Sequence, residues 1–307
     1  MSKLSESLKT LINVAHVRPH TTPAPKNITS VYEKIANDAK AKQVGLPAWL
    51  CASVRLSLPR HPTQEHSANM QPTKTAATMT LNSPESLLQL YALASASKPT
   101  TSNPSDHPIY TAELMREVGL KCIGFNGVPR TINCLNAFRD GLPTDIQSAL
   151  AERKPRRMLG RENVDDVLDR GHGLWNSIYA PFSTKLIKKL ASSHPDLPVH
   201  IVESEYGALF SDPAQSAPLG ANVGRVLTSV VAVACLRAQT GVGPQVLSHV
   251  FGLRKAVEGE TVEEDVEGGK WLASDEGSEW LLKKVDEVVG AIGGGFAGGY
   301  GELKAKL

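Results

Sequence analysis

Residues 225–239, Arg-Val-Leu-Thr-Ser-Val-Val-Ala-Val-Ala-Cys-Leu-Arg-Ala-Gln, form a nearly continuous apolar run. It stops at Thr240-Gly-Val-Gly-Pro244 and resumes as Gln245-Val-Leu-Ser-His-Val-Phe-Gly-Leu-Arg-Lys-Ala256. Val226, Leu227, Val230, Val231 and Ala234 share one side at helical spacing, and Val223, Val233 and Leu236 cover much of the rest. A helix apolar nearly all round lies inside other helices. The β-branched content also suits a buried strand, but about fifteen residues exceed the usual 4–8 of one. The flanking arginines and Thr228-Ser229 exclude a membrane span. Pro244 fits the first turn of a second helix, with Gly243 as its cap. There Val246, Val250, Leu253 and Val257 make the core stripe, and His249 stands beside it. Gln245 lies one turn before His249, with Gly252 and Ala256 after it.

A second copy of this pattern spans about 108–141. Asn126-Gly-Val-Pro129 opens a helix through Arg139, and a shift of 115 superposes Pro129 on Pro244 and Arg139 on Arg254. Leu135, Ala137 and Phe138 then fall on Val250, Gly252 and Leu253, and Cys134 falls on His249. A buried helix, a Gly-containing turn and a second helix with a mid-helix His resembles the carboxymuconolactone decarboxylase and alkylhydroperoxidase D-like superfamily. The resemblance covers residues 220–257 best. It implies an all-α, AhpD-like fold of two pseudo-repeated units and a homo-oligomer, a dimer or trimer, joined through these helices.

The rest of the 307-residue chain is organised around these units. Residues 3–17 read as a weak amphipathic helix ended by Pro19, and 1–27 as this helix plus linker. The first unit covers 28–152, with a helix from Ile28 to Ala41 and another from Pro84 through Leu93. Residues 55–80, rich in Pro, Ser, Thr and Gln, read as a long loop, and Lys98 to Pro108 as a polar linker. The second unit covers 153–289. Trp175, Ile178, Tyr179, Phe182, Leu186, Ile187 and Leu190 keep helical spacing across a break at Pro181. His194-Pro195 and Leu197-Pro198 punctuate the chain, and Val199 to Val202 is a short apolar run. Residues 258–267 form an acidic surface loop, and Trp280, Leu281, Val285, Val288 and Val289 a last helix. Residues 290–307 read as a flexible Gly-rich tail. Its G-x-G-x-x-G at Gly293, Gly295 and Gly298 lacks the strand and following β-unit of a dinucleotide site.

Composition narrows the function. Lys plus Arg number 33 against 31 Asp plus Glu, a net +2 that gives no mandate for nucleic acid or membrane binding. Four scattered cysteines without a C-x-x-C pair suggest buried thiols in a reducing compartment. No ligand spacing points to a metal, and no phosphate loop or other cofactor motif is present. The basic run Arg153-Lys-Pro-Arg-Arg157 reads either as a clamp for a phosphate-bearing ligand such as a coenzyme A thioester or, more simply, as a solvated loop. The final Ala305-Lys306-Leu307 resembles a C-terminal peroxisomal targeting tripeptide, Ala replacing the prototype Ser. This implies the peroxisomal matrix and the import receptor as a partner. Together with the superfamily likeness, the ending is similar to fungal peroxisomal members of the carboxymuconolactone decarboxylase family.

The resemblance also says what is missing. Its peroxidase members place a C-x-x-C pair where this chain has Val242 and Gln245, so a dithiol mechanism is not expected. His249 remains as general acid or base, with Gln245, Glu203, Glu205 and Tyr206 as candidate catalytic neighbours. Arg225, Cys235 and Cys134 are candidate substrate-binding residues. Each has a plainer reading: a satisfied core histidine, solvated glutamates, a packing tyrosine, inert buried thiols, and an arginine capping a neighbouring helix. The expected function is non-redox chemistry on a small organic acid, lactone or acyl thioester. An oxidoreductase of modified mechanism and a non-catalytic helical scaffold are the alternatives.

Overall fold

In the computed structural model, residues 4–14, 20–46, 48, 74–97, 106–213, 221–258 and 266–293 are described, and every regular element among them is helical. In chain order these are α1 (Glu6–Ile12), α2 (Ile28–Ala41), α3 (Lys74–Thr80), α4 (Pro84–Ser95), α5 (His107–Lys121), α6 (Ile123–Asn126), α7 (Val128–Gly141) and α8 (Thr144–Ala151). There follow α9 (Val164–Tyr179), α10 (Ser183–Ser193), α11 (Asp196–Val199) and the π-helix α12 (His200–Phe210). The chain continues through α13 (Gly224–Gln239), α14 (Gly243–Lys255), α15 (Gly269–Leu272) and α16 (Asp275–Ile292). No helix among the described residues is long and apolar enough to cross a membrane.

The apolar run at 225–239 is the axis of the molecule. From Val226 to Leu236 every side chain of α13 is buried. It packs against α3, α14 and α16, and the core continues through α2, α4, α5 and α7. Burial on every side explains how a helix so rich in valine persists, since tertiary packing outweighs the modest propensity cost. The turn that ends it has Thr240 at φ 62° and Gly241 at φ 72°. Val242, rather than Gly243, then occupies the N-cap of α14, with Pro244 in the first turn. A smaller apolar cluster joins Trp175 and Ile178 of α9 to Val202, Tyr206 and Phe210 of α12.

Several expectations are corrected. Residues 74–80 are helical where a loop was expected, and residues 75–80 are buried in the core. Their hydroxyls do not oppose this, because Thr78 bonds Tyr32 at 2.7 Å and Thr80 bonds the Ala76 carbonyl at 2.8 Å and Asn126 at 3.0 Å. The remainder of that expected loop, 55–73, lies outside the described residues, as do 259–265 of the acidic loop, the tail beyond residue 293 and Ala305, Lys306 and Leu307. The linker ends earlier than expected, since α5 starts at His107 with Pro108 in its first turn. The amphipathic helix at the N-terminus is only Glu6–Ile12, and none of its residues is buried. The short apolar run Val199 to Val202 spans the junction where α11 passes directly into α12.

The basic run is neither a solvated loop nor an open clamp. Arg153 pairs with Glu113 at 2.7 Å, Arg156 and Arg157 converge on Glu117, and Arg156 also donates to Asn222 Oδ1 and the Ala221 carbonyl, each at 2.9 Å. These guanidiniums strap the segment after α8 onto α5 and the entrance of α13.

Candidate functional site

His249 sits at the seam between the two apolar clusters. α14 carries it inward, 7% exposed, while Gln245 one turn earlier is exposed. Phe125 of α6 meets the imidazole edge-on with centroids 6.0 Å apart and stacks on Phe210 of α12 at 5.0 Å. Tyr179, the last residue of α9, lies edge-on to the imidazole at 6.3 Å, with its hydroxyl 3.5 Å from Nε2. That hydroxyl is also 3.1 Å from the Tyr206 hydroxyl of α12. Trp175 packs on both tyrosines, at 4.2 and 5.1 Å. A chain of polar atoms from Tyr206 through Tyr179 to His249 therefore runs through an aromatic enclosure.

Glycines make this convergence possible. A β-carbon on Gly171 of α9 would stand 2.7 Å from Gly207 Cα and 2.8 Å from the Val202 carbonyl, so α9 and α12 approach backbone to backbone there. Trp175 and Tyr179 follow Gly171 at intervals of four and lie on the same face of α9. Tyr206 adjoins Gly207 on the facing helix. The wide turns of α12, seen in the Ser211 N–H donating to the Tyr206 carbonyl five residues back at 3.0 Å, help aim the tyrosine.

The site is electrically quiet. Burial, with the Arg225 charge adding to it, lowers the His249 pKa to about 4, so the imidazole is neutral near pH 7. Burial also raises both tyrosines, Tyr206 well above its ordinary value, although Arg225 opposes this. Burial raises Glu205 too, against a weaker pull from His200. Among the described residues, His249 Nδ1, Trp175 Nε1 and Glu205 Oε2 are buried in and around the enclosure with no hydrogen-bond partner. Neutral imidazole carries one acceptor and one donor nitrogen. With Nε2 facing Tyr179, Nδ1 is the nitrogen left for another group.

Among the residues singled out from sequence, His249 and Tyr206 come together, and Glu205 borders the enclosure beside Gly124 and Phe210. Glu203 faces solvent. Arg225 donates to Ser177 Oγ at 2.7 Å, Ser229 Oγ at 2.6 Å and the Gly252 carbonyl at 2.7 Å, so it ties α9, α13 and α14 together as a capping group. Cys134 does not join His249. It is buried on α7 against the Met79 carbonyl and Asn82, and burial pushes its thiol up to about 12, with Arg130 opposing. Cys235 faces Cys122 and the Ala76 carbonyl. Sequence reasoning gives Trp175 and Tyr179 only a place in a helical stripe and gives Phe125 and Phe210 no role. The Gly171-x-x-x-Trp175-x-x-x-Tyr179 spacing was the available signal.

An open cleft of about 320 Å³ lies elsewhere, lined by Arg254, Val257, Lys270, Ala273 and Asp275 among others. Among the described residues, no group of three His, Cys, Asp or Glu side chains could hold a metal ion.

Comparison with known proteins gives one curated relative. Over 168 residues the chain is 33% identical to Peroxisomal protein 2 of Saccharomyces cerevisiae, an alignment covering 48% of this chain and 56% of that protein. The chain thus spans little more than half the length of the relative it matches. No protein-family profile matches it, and no solved structure does.

Proposed function

We propose that the chain is a carboxymuconolactone decarboxylase-like protein of the peroxisomal matrix whose His249 performs non-redox acid–base chemistry on a small organic acid, lactone or acyl thioester. The observation that carries this reading is the buried Nδ1 of His249, without a partner while Nε2 faces the Tyr179–Tyr206 pair. A buried polar atom left unpaired costs about 1–3 kcal/mol. A ligand heteroatom at Nδ1 would satisfy it. The neutral imidazole takes a proton there or donates one, according to tautomer, and the tyrosines fix its ring. The Arg225 charge favours an oxyanion forming nearby. Purified protein assayed against lactones, β-keto acids and acyl thioesters should turn over one class, survive thiol alkylation and chelators, and lose that activity in His249→Gln. Turnover unchanged in that variant removes His249 from the reaction.

The peroxisomal part draws on the likeness to Peroxisomal protein 2 and on Ala305-Lys306-Leu307 as the address read by an import receptor. Removing Leu307 from a fluorescent fusion should leave it in the cytosol, and retention in peroxisomes would reject the tripeptide. Exposed Val128, Ile132, Leu247 and Phe251 on the two motif helices favour a dimer or trimer, which light scattering tests. A non-catalytic scaffold is the second reading. It is favoured by the burial of His249, 7% exposed, against Phe125 and Tyr179.

A further inference from the structure

Cys122, the C-cap of α5, and Cys235, in the middle of α13, are 113 residues apart in sequence, yet their Sγ atoms lie 3.5 Å from each other. Both side chains are fully buried, and Cys235 Sγ is a further 3.9 Å from the Ala76 carbonyl of α3. A disulfide places its sulfurs about 2.05 Å apart. Closure therefore asks for an approach of the two sulfurs by roughly 1.5 Å.

We propose that Cys122 and Cys235 are a cross-linking site that a small hydroperoxide closes into a disulfide. One thiol, as its thiolate, attacks the peroxide O–O bond, which breaks; the sulfur becomes a sulfenic acid and the other oxygen leaves as water or alcohol. The second sulfur attacks the sulfenic sulfur, the S–S bond forms, and the hydroxyl leaves with the second thiol proton as water. Two thiols lose two electrons and the peroxide gains them. Burial selects the oxidant, because a molecule the size of hydrogen peroxide penetrates where bulky thiol reagents do not. The neighbouring sulfur intercepts the sulfenic acid before it climbs to sulfinic acid.

The cross-link has a place to act. Phe125, three residues beyond Cys122, walls the His249 enclosure, and Gln239, one turn beyond Cys235, donates to the Phe125 carbonyl at 2.7 Å. A bond between the sulfurs fixes α6 against α13 beside the aromatic seam. The inference stands whether or not His249 is catalytic.

Full-length protein is treated with hydrogen peroxide, denatured, blocked with N-ethylmaleimide and mapped as tryptic peptides with and without dithiothreitol. The expected product joins the Cys122 and Cys235 peptides, lacks two hydrogens and separates on reduction, while Cys134 carries the maleimide. Recovery of both residues as maleimide adducts, or as separately oxidised peptides, overturns the proposal. Oxidation should also raise Tm by roughly 5 °C, reversibly with dithiothreitol. The same shift persisting in Cys235→Ala overturns the assignment as well.

Discussion

α7 and α14 follow parallel plans and end in different surroundings. Each starts just after a glycine of positive φ, Gly127 at 77° and Gly241 at 72°, and each has a proline in its first turn. Each buries one polarisable side chain at the same distance along the helix, Cys134 in one and His249 in the other. The surroundings separate them. Cys134 meets the Met79 carbonyl and Asn82 at the end of α3, and the neighbouring Arg130 is engaged with the Thr80 carbonyl at 2.6 Å. His249 meets Phe125 and Tyr179, and among the described residues its Nδ1 has no hydrogen-bond partner. A shared helical frame thus leaves reactivity to be decided by what packs over its middle turn.

The sharpest way to break this comparison is catalytic. On the proposed acid–base reading, His249→Gln should reduce turnover about 10²- to 10⁴-fold, the usual contribution of such a group. Cys134→Ser should stay within about twofold, as a substitution remote from the chemistry. Equal losses would erase the distinction. The two residues should also tilt stability in opposite directions with pH. Burial raises the Cys134 pKa from 9.0 to about 12, so its contribution is complete below pH 9 and is lost as pH rises towards 12, an effect of about 4 kcal/mol at most. Burial lowers the His249 pKa from 6.5 to about 4, so its contribution is complete above pH 6.5 and is lost as pH falls towards 4, about 3 kcal/mol. Urea titrations across pH 4–11 on the parent, Cys134→Ser and His249→Gln should show each variant flattening only its own arm.

Smaller effects test what assembles the second site. Gly171→Ala should cost about 1–3 kcal/mol by forcing α9 away from α12 and separating Tyr206 from Tyr179. Gly173→Ala, whose added carbon meets open space in the same helix, should raise stability by about 1 kcal/mol. A thermal melt of the pair distinguishes close approach from mere helix propensity.

These sites also show what the sequence makes legible. The apolar run of α13, the turn at Gly241 and α2 from Ile28 to Ala41 were readable because period, punctuation and length are local signals. His249 and Tyr206 were legible as chemistry-bearing types near that run. α3 was not, because its Thr, Ala and Met residues look like loop until partners such as Tyr32 and Asn126, each 46 residues away, satisfy them. The straps on Glu113 and Glu117 come from arginines about 40 residues further on. Tyr179 reaches Tyr206 across 27 residues where Gly171 and Gly207 bring α9 and α12 together, and His249 across 70 where Gly252 of α14 lies against Ile178 of α9. In each case the missing information is a partner distant in sequence.

The π-helical turns of α12 carry a consequence for how the site withstands insertions and deletions. A helix with five-residue hydrogen-bond spacing holds slack equivalent to an extra residue, and dropping one residue lets it relax to ordinary α geometry. Each residue of an α-helix advances by roughly 100°. A one-residue deletion just before Tyr206 would therefore leave circular dichroism nearly unchanged while displacing that hydroxyl from Tyr179, so the contact would fail in a protein whose secondary structure looks intact.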